Sequence, residues 1–215
     1  MKKVNRSLLL IVSAPSGAGK TTLCRRLLVK RERMRYSVSC TTRTPREGEI
    51  DGESYHFLSE NEFNERIQKN EFLEYARVHG AWYGTLRATV EKILDSGDDI
   101  VMDIDVQGAA QIREYVSNLP EDNPLRTGYV DVFVVPPSLD ELRARLDARA
   151  KDSAEVIDRR MQQAESEIKH WNKYKYYLVN ADLDVAVAVF DAIVTAEHHL
   201  VGLSERLGVN SRRSL

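Results

Sequence analysis

The sequence predicts an α/β fold in which a mostly parallel sheet is flanked by helices. Apolar, strand-like runs at 8–13, 99–105, 129–135 and 175–180 alternate with helical stretches, a pattern typical of parallel sheets covered by helices. The chain has 215 residues, of which 42% are hydrophobic and 30% are charged. This composition is typical of a globular protein, and the length is short for two independent cores. We therefore expect a single domain, 1–215.

The first strand, LLLIVS at 8–13, leads into a glycine-bearing loop, and the first helix is predicted to begin near Gly19. Between 36 and 88 the pattern changes to short strand-like pieces (YSVSC, SYHFL and EFLEYARV) separated by turns that contain glycine. One short helix is predicted to begin at Ser59, because Glu62 completes a capping box. We interpret 36–88 as a small mixed α/β lobe inserted into the parallel sheet.

A second insertion is predicted at 138–164. Ser138 and Glu141 indicate a helix start just after the strand at 129–135, and arginines follow at high density. Residues 118–128 hold two prolines and are predicted to form a surface loop. The remaining segments, 1–35, 89–137 and 165–215, would form the core.

Two later stretches have apolar residues at helical spacing, and we expect both stripes to face the core. The first stripe comprises Ile157, Met161, Ala164, Ile168 and Trp171, and the second comprises Val189, Ile193, Ala196, Leu200 and Leu203.

Composition excludes several classes of protein. The formal net charge of -2 gives no overall attraction to nucleic acid, so an anion site must come from a local basic cluster. The apolar run LLLIV at 8–12 is far shorter than the roughly 18 residues that a membrane span needs, and we expect no signal peptide. Cys24 and Cys40 have no metal-ligand or disulfide-framework spacing. We expect a cytoplasmic protein that binds neither nucleic acid nor membrane.

The segment SAPSGAGKTT at 13–22 is close to the phosphate-loop pattern GxxxxGK[ST]. Backbone N–H groups and the dipole at a helix N-terminus attract phosphate. Gly17 and Gly19 would allow close approach of the backbone, Lys20 would reach the outer phosphates, and the Thr21 hydroxyl would hold magnesium. The segment therefore predicts nucleotide binding, with a fortuitous glycine-rich turn as the alternative.

Ala14 stands where the pattern has its first glycine. A Cβ disfavours the left-handed backbone region by roughly 1–2 kcal/mol. We therefore expect Ala14 to keep a negative φ.

The strand DIVMDID at 99–105 ends in two acidic residues. A carboxylate at a strand end beside a phosphate loop is a common magnesium ligand, so Asp103 is the candidate, with a helix cap or a solvated surface acid as the alternative. Asp105 would lie in the same crevice at the carboxyl ends of the strands.

Phosphoryl transfer needs cations around the moving group, because negative charge spreads over its oxygens. Arg43 and Arg46 lie in the first insertion, and Arg145, Arg149 and Arg160 lie in the second. Each could be a solvated surface residue, but arginines in two separate insertions suggest jaws that close over donor and acceptor.

Together, the segments SAPSGAGKTT, SVSCTTRTPREGE, GESYHF, EFLEYARVHGAWYGT and VMDIDVQGA resemble the guanylate kinases. The resemblance spans roughly residues 7 to 200. It implies a P-loop NTPase-type parallel sheet with an inserted GMP-binding lobe and a helical lid. It also implies phosphoryl transfer from MgATP to GMP, giving ADP and GDP, with dGMP as a further acceptor. The substrates would be ATP and GMP, and Mg²⁺ would be the cofactor.

The resemblance also implies roles for individual residues. The charge of the moving group would be offset by Lys20, Arg43, Arg145, Arg149 and Arg160. ATP would be bound by Ala14, Pro15, Ser16, Gly17, Ala18, Gly19, Lys20, Thr21, Thr22 and Asn180. GMP would be bound by Ser39, Arg43, Arg46, Tyr55, Glu74, Tyr83, Thr85 and Asp105. Magnesium would be held by Thr21 and Asp103.

Guanine has two N–H donors, N1–H and the exocyclic amine, beside the O6 acceptor. A carboxylate such as Glu74 matches the donors and a hydroxyl such as Thr85 matches O6, whereas adenine would leave the buried carboxylate unpaired. The sequence departs from the family at Ala150 and Lys151, where Gly-Thr is usual, and at VNADL, where VNDDL is usual.

Two other functions are compatible with parts of the pattern. A guanylate-kinase-like interaction domain would keep the GMP lobe for peptide binding, but such domains typically lose residues of the phosphate loop, and GAGKTT is present here. A kinase of the same architecture for another phosphorylated acceptor would have no need of Ser39, Glu74 and Thr85 together.

For the oligomeric state, we expect a monomer or a small homo-oligomer.

Overall fold

The computed structural model describes residues 6–78, 80–148 and 153–200, which form two sheets with helices around them. The strands are β1 (Leu9–Ser13), β2 (Met34–Tyr36), β3 (Cys40–Thr41), β4 (His56–Phe57), β5 (Phe72–Val78), β6 (Ala81–Leu86), β7 (Asp99–Asp103), β8 (Tyr129–Val135) and β9 (Tyr176–Val179). The helices are α1 (Lys20–Lys30), α2 (Glu60–Gln68), α3 (Arg87–Asp95), α4 (Val106–Ser117), α5 (Pro124–Gly128), α6 (Leu139–Asp147), α7 (Ala154–Ile168) and α8 (Leu183–His198), with a 3₁₀ turn at Trp171–Lys173.

The main sheet is parallel, in the order β2-β7-β1-β8-β9. The central strand β1 is buried along its whole length, which is why it is continuously apolar rather than alternating. Its side chains alternate between two cores. Leu10 and Val12 pack with α1 and α8, whereas Leu9 and Ile11 pack with α3 and α4. The predicted α/β class is confirmed.

The second sheet, of order β4-β3-β6-β5, is mixed and belongs to the inserted segment. Helix α2 covers it through Phe63, which stacks on Phe72 at a centroid distance of 4.3 Å. The capping box predicted at Ser59 is present, with Glu62 accepting from the Ser59 backbone. The strand-like piece YSVSC is divided between the two sheets, because Tyr36 ends β2 beside β7 and Cys40 begins β3.

The prediction that 118–128 is a surface loop is wrong for its second half. Helix α5 begins there after the N-cap Asn123, whose side chain accepts from the Leu125 N–H at 2.9 Å. Leu125 is buried against the core. Pro124 fits the first turn of a helix, since its missing N–H has no partner to lose there.

The first helical stripe is right as far as Ile157, Met161 and Ala164, which pack with α6 in a core of their own. It is wrong at Trp171, which is 47% exposed. Helix α7 ends at Ile168, so the chain leaves the helical path before the stripe is complete.

The second predicted stripe is right only at Ile193, which is partly buried and packs against the core. Val189, Ala196 and Leu200 are exposed, and Leu203 lies outside the described residues. The buried face consists of Ala186, Val187, Phe190, Val194 and Glu197. Because the helix is apolar around most of its circumference, its sequence does not select one face, and packing against α1 and the sheet decides.

Candidate active site

The phosphate loop, residues 13–22, joins β1 to α1 at the carboxyl edge of the parallel sheet. Gly17 and Gly19 have φ of 95° and 88°, in the left-handed region that glycine occupies without penalty. Among the described residues other than glycine, Asn70 alone has a positive φ. Ala14 therefore keeps the expected negative φ, and it is only 6% exposed because it packs in the core below the loop.

Lys20 and Thr21 open α1 and contact the end of β7. Lys20 Nζ lies 2.8 Å from Asp103 Oδ1 and donates to the Ile104 carbonyl at 2.9 Å. Thr21 Oγ1 donates to Asp103 Oδ2 at 2.6 Å. Burial opposes the charge of Lys20, but the Asp103 carboxylate outweighs it and raises the pKa of the ammonium.

A cleft of about 660 Å³ opens above this loop. Its walls include the ATP-side residues predicted from the sequence, apart from Ala18, which is buried, and Asn180. Asp103 and Asp105 lie in the same wall. The predicted residues that line the cleft are Ala14, Pro15, Ser16, Gly17, Gly19, Lys20, Thr21 and Thr22.

Asn180 follows β9 and supports the loop from behind. Its side-chain Nδ2 donates to the Ala18 carbonyl at 2.7 Å. The backbone carbonyl of Asn180 accepts from Arg145 Nη2 at 3.0 Å. A Cβ at Gly19 would lie 2.4 Å from Asn180 Nδ2. Asn180 thus fixes the loop conformation and links it to an arginine of α6.

The second insertion contacts the loop directly. Arg160 Nη2 in α7 donates to Ser16 Oγ at 2.7 Å, and the side chains of Leu142 and Leu146 cover Gly17. Arg149 lies outside the described residues. Two of the three arginines predicted in this insertion, Arg145 and Arg160, therefore contact residues of the loop or its support.

A second cleft of about 230 Å³ lies beside the first. Lys20, Asp103, Asp105 and Val78 line both clefts. Four further residues predicted from the sequence line the second cleft, and they come from the inserted lobe: Ser39, Tyr55, Glu74 and Tyr83.

Glu74 is a buried residue in the wall of this second cleft. It is 5% exposed, and its Oε1 accepts from Thr85 Oγ1 at 2.8 Å. The Thr85 hydroxyl in turn lies 3.3 Å from Ser39 Oγ. Burial raises the pKa of Glu74 to about 7, with a smaller contribution from Asp105 and opposition from the Thr85 hydroxyl.

Arg43 and Arg46 meet at one acidic residue, Glu49. Arg43 Nη2 contacts its two oxygens at 2.8 and 3.0 Å, and the Arg46 N–H donates to it at 2.7 Å. The Arg43 guanidinium lies 5.4 Å from the ring centroid of Tyr55, which contacts the ring of Tyr83. Arg43 thus belongs to a cluster with both tyrosines, whereas the side chain of Arg46 is exposed.

Asp105 lines both clefts and is also the N-cap residue of α4. It caps α4, accepting from the Gly108 N–H at 2.8 Å. Asp103 is not a helix cap, which removes one alternative to its predicted role.

Residues that the sequence reasoning missed also line the larger cleft: Arg77, Gln163, Glu167 and His170. The last three follow each other at spacings of four and three on α7 and after it. These polar residues lie on a different face of the helix from Ile157 and Met161, and their helical spacing could have indicated a second functional face from the sequence.

Within the described ranges, no group of three or more His, Cys, Asp or Glu side chains could hold a metal ion. The pair Thr21–Asp103 instead offers a hydroxyl and a carboxylate at one edge of the cleft. These are hard oxygen ligands, and Mg²⁺ is commonly bound by one or two such groups together with substrate phosphates. The donor set therefore fits magnesium. No helix in the described part of the chain has the length and apolar character of a membrane span.

Comparison with known proteins identifies the family of this chain. The sequence profile of the family described as guanylate kinase matches residues 6–197. The guanylate kinase of Paramagnetospirillum magneticum is 48% identical over 192 residues, covering 89% of this chain and 86% of the relative. That of Alkalilimnicola ehrlichii is 46% identical over 207 residues, covering 96% and 97%.

A solved structure is similar as well. The crystal structure of guanylate kinase from Anaplasma phagocytophilum superposes with a TM-score of 0.74 at 31% sequence identity, covering 96% of each chain. The profile match, the identity over nearly the whole chain and the shared fold lead to one conclusion. This chain belongs to the guanylate kinase family.

Proposed function

We propose that this chain transfers a phosphoryl group from MgATP to the phosphate of GMP, giving ADP and GDP, and that dGMP is a second acceptor. The observation that carries the proposal is the contact between two clefts of different character. One lies over a phosphate loop, and the other is lined by the buried Glu74, whose carboxylate accepts from Thr85. Lys20 lies in the wall of both.

ATP would occupy the larger cleft with its phosphates at the N-terminus of α1. Backbone N–H groups and the helix dipole favour anions there, and Lys20 and Arg160 add positive charge from two sides. Phosphates entering the cleft would compete with Asp103 for the Lys20 ammonium. Thr21 and Asp103 would hold Mg²⁺, which supplies neutralisation of phosphate charge when bound.

GMP would occupy the smaller cleft with guanine at Glu74. The ionised carboxylate accepts the N1–H and amine protons of guanine, and the hydroxyls of Ser39 and Thr85 lie beside it. Adenine lacks the N1–H and the amine beside it, so the Thr85 hydroxyl alone would bond the buried carboxylate. Such a mismatch costs far more than a missing apolar contact. The GMP phosphate would lie at the cluster of Arg43, Tyr55 and Tyr83.

Catalysis then consists of positioning and charge stabilisation, since no covalent nucleophile or strong base is required. We propose that the lobe 36–88 and the lid 138–164 close over the core and exclude water. Arg145 and Arg149 in the lid would approach the donor phosphates along with Arg160.

Cys24 and Cys40 are free and buried, which favours a reducing compartment such as the cytoplasm. A monomer or a small homo-oligomer stays a prediction.

A coupled assay of the purified chain with MgATP and a panel of acceptors tests the proposal. We expect turnover of GMP, weaker turnover of dGMP, and a kcat/KM for AMP at least about a hundredfold lower, as expected for a site built to bond the acceptor's own donors. Correctly folded protein with no GMP turnover would refute the proposal. Turnover of a different phosphorylated acceptor would favour the alternative kinase.

A further inference from the structure

Helix α4 holds the strand that carries Glu74. Strand β5 is the last strand in the order β4-β3-β6-β5, so one of its edges pairs with β6 and the other does not face a strand. At that edge, the Tyr75 N–H donates to Gln111 Oε1 at 3.1 Å, and Gln111 Nε2 donates to the Tyr75 carbonyl at 2.8 Å. The carboxamide thus satisfies both backbone groups of the residue next to Glu74, as a neighbouring strand would.

The same helix also leaves space for the Glu74 carboxylate. Gly108 lies one turn before Gln111, and a Cβ built there would be 2.6 Å from Glu74 Oε2 and 3.3 Å from its Cδ. A glycine within a helix costs about 1 kcal/mol relative to alanine. Its presence at this position is explained by the carboxylate that occupies the space of a side chain.

The pairing of β5 with β6 is irregular beside Glu74, so contacts with α4 contribute to the position of this residue. The pairing with β6 shifts register between Phe72 and Glu74, so strand pairing alone does not fix where the carboxylate points. Leu73 packs into the core cluster that contains Ala109 and Ile112 of α4. The strand is therefore attached to α4 on both sides of Glu74.

We infer that Gln111 and Gly108 are positioning residues for guanine recognition, acting through Glu74 and not on the substrate. The inference rests on the proposed function. Polar recognition of a base depends on placing the acceptor within about 0.5 Å of its best position. Residues that grip the backbone beside Glu74 and shape the space around its carboxylate determine that placement.

Two substitutions test the inference by different routes. Gln111→Met keeps the side-chain length and the helix propensity but removes both bonds to Tyr75. We expect it to raise the KM for GMP at least about fivefold, with kcat changed less than about twofold. Gly108→Ala introduces the colliding Cβ, and we expect at least about a tenfold loss in the ratio of kcat/KM for GMP to that for AMP. The KM for MgATP should stay within about twofold of wild type in both variants.

The matched control is Gln68→Met, the same change at an exposed position at the end of α2 in the inserted lobe. It should leave the GMP and AMP parameters unchanged. Calorimetric titration with GMP alone gives a second readout that does not depend on turnover. If one variant fails to fold, the other variant and its titration with GMP still test the inference.

A double-mutant cycle distinguishes positioning from general destabilisation. In a Glu74→Ala background no carboxylate remains to be positioned, so adding Gly108→Ala or Gln111→Met should change the GMP to AMP ratio less than about twofold. Equal losses with and without Glu74, or a retained ratio in the single variants, would overturn the inference. Absence of GMP turnover in the wild-type chain would instead be a failure of the proposed function.

Discussion

Lys20 Nζ and Asp103 Oδ1 are 2.8 Å apart, and the pair joins the first turn of α1 to the end of β7. Both side chains are largely buried, and the carboxylate also accepts from Thr21. The contact holds the ammonium at the boundary between the two clefts. A charge held there can act on a phosphoryl group that passes from one cleft to the other.

Replacing Lys20 by Met should remove this charge while keeping most of the side-chain volume. We expect kcat for GMP phosphorylation to fall by about 10²- to 10³-fold, the range typical for loss of one preorganised charge-stabilising group. Steady-state kinetics with circular dichroism as the folding control measures the effect. A kcat within about threefold of wild type would contradict a role for Lys20 at the transferred group.

Ala14→Gly restores the glycine of the general phosphate-loop pattern. Because Ala14 already has a negative φ and its Cβ packs in the core, glycine gains nothing and loses buried surface. We expect the free energy of unfolding to fall by about 1 kcal/mol in urea titrations. The KM for MgATP should stay within about twofold, and a clear improvement would show that Ala14 constrains the loop.

GMP binding should weaken as pH falls, because the proposed recognition of guanine requires the ionised form of Glu74. With a pKa of about 7, the ionised fraction drops from about nine tenths at pH 8 to about one tenth at pH 6. The KM for GMP should therefore rise about tenfold over this interval. The GMP phosphate itself titrates near pH 6, and Glu74→Gln, which keeps that titration, is the control. An equal pH dependence in the variant would contradict the prediction.

The same pKa shift predicts a stability cost for Glu74. Burial raises its pKa from 4.5 to about 7 in the folded chain, so between these values the folded state binds more protons than the unfolded state. Stability from this group is then fully present below about pH 4.5 and is lost as pH rises to about 7.

Glu74→Gln should therefore be more stable than wild type by about 3 kcal/mol at pH 8, with a difference that shrinks as pH falls towards 5. Urea unfolding at several pH values measures it. A difference that does not change with pH would indicate that Glu74 is ionised throughout. If the difference does shrink as pH falls and GMP binding weakens as predicted above, Glu74 lowers the stability of the fold while it contributes to recognition of the base.

Local sequence patterns were sufficient for the core of the fold and for the phosphate loop. The apolar runs marked four of the five strands of the parallel sheet, and the strand-loop-helix order around Gly19 predicted where α1 begins. These features depend on residues close in sequence, since strand periodicity, helix caps and glycine conformations are decided within a few positions. The capping box at Ser59 succeeded for the same reason.

The failures occurred where a local pattern left more than one solution. Helix α8 has apolar residues on several faces, and only its contacts with α1 and the sheet chose Phe190 and Val194 over Val189. Trp171 followed the period of α7, but the helix had already ended. Leu125 became buried because α5 packs on the core.

The amino-acid sequence by itself determined the α/β class and the phosphate loop, and its resemblance to the guanylate kinases predicted Glu74 as the residue that binds the base. Tertiary structure alone decided how Glu74 is held. Gln111 is 36 positions from Tyr75, and Gly108 is significant only because a carboxylate from another element fills the space beside it. The burial that raises the pKa of Glu74 likewise arises only when lobe and core pack together, since desolvation depends on all neighbours in space and not on neighbours in sequence.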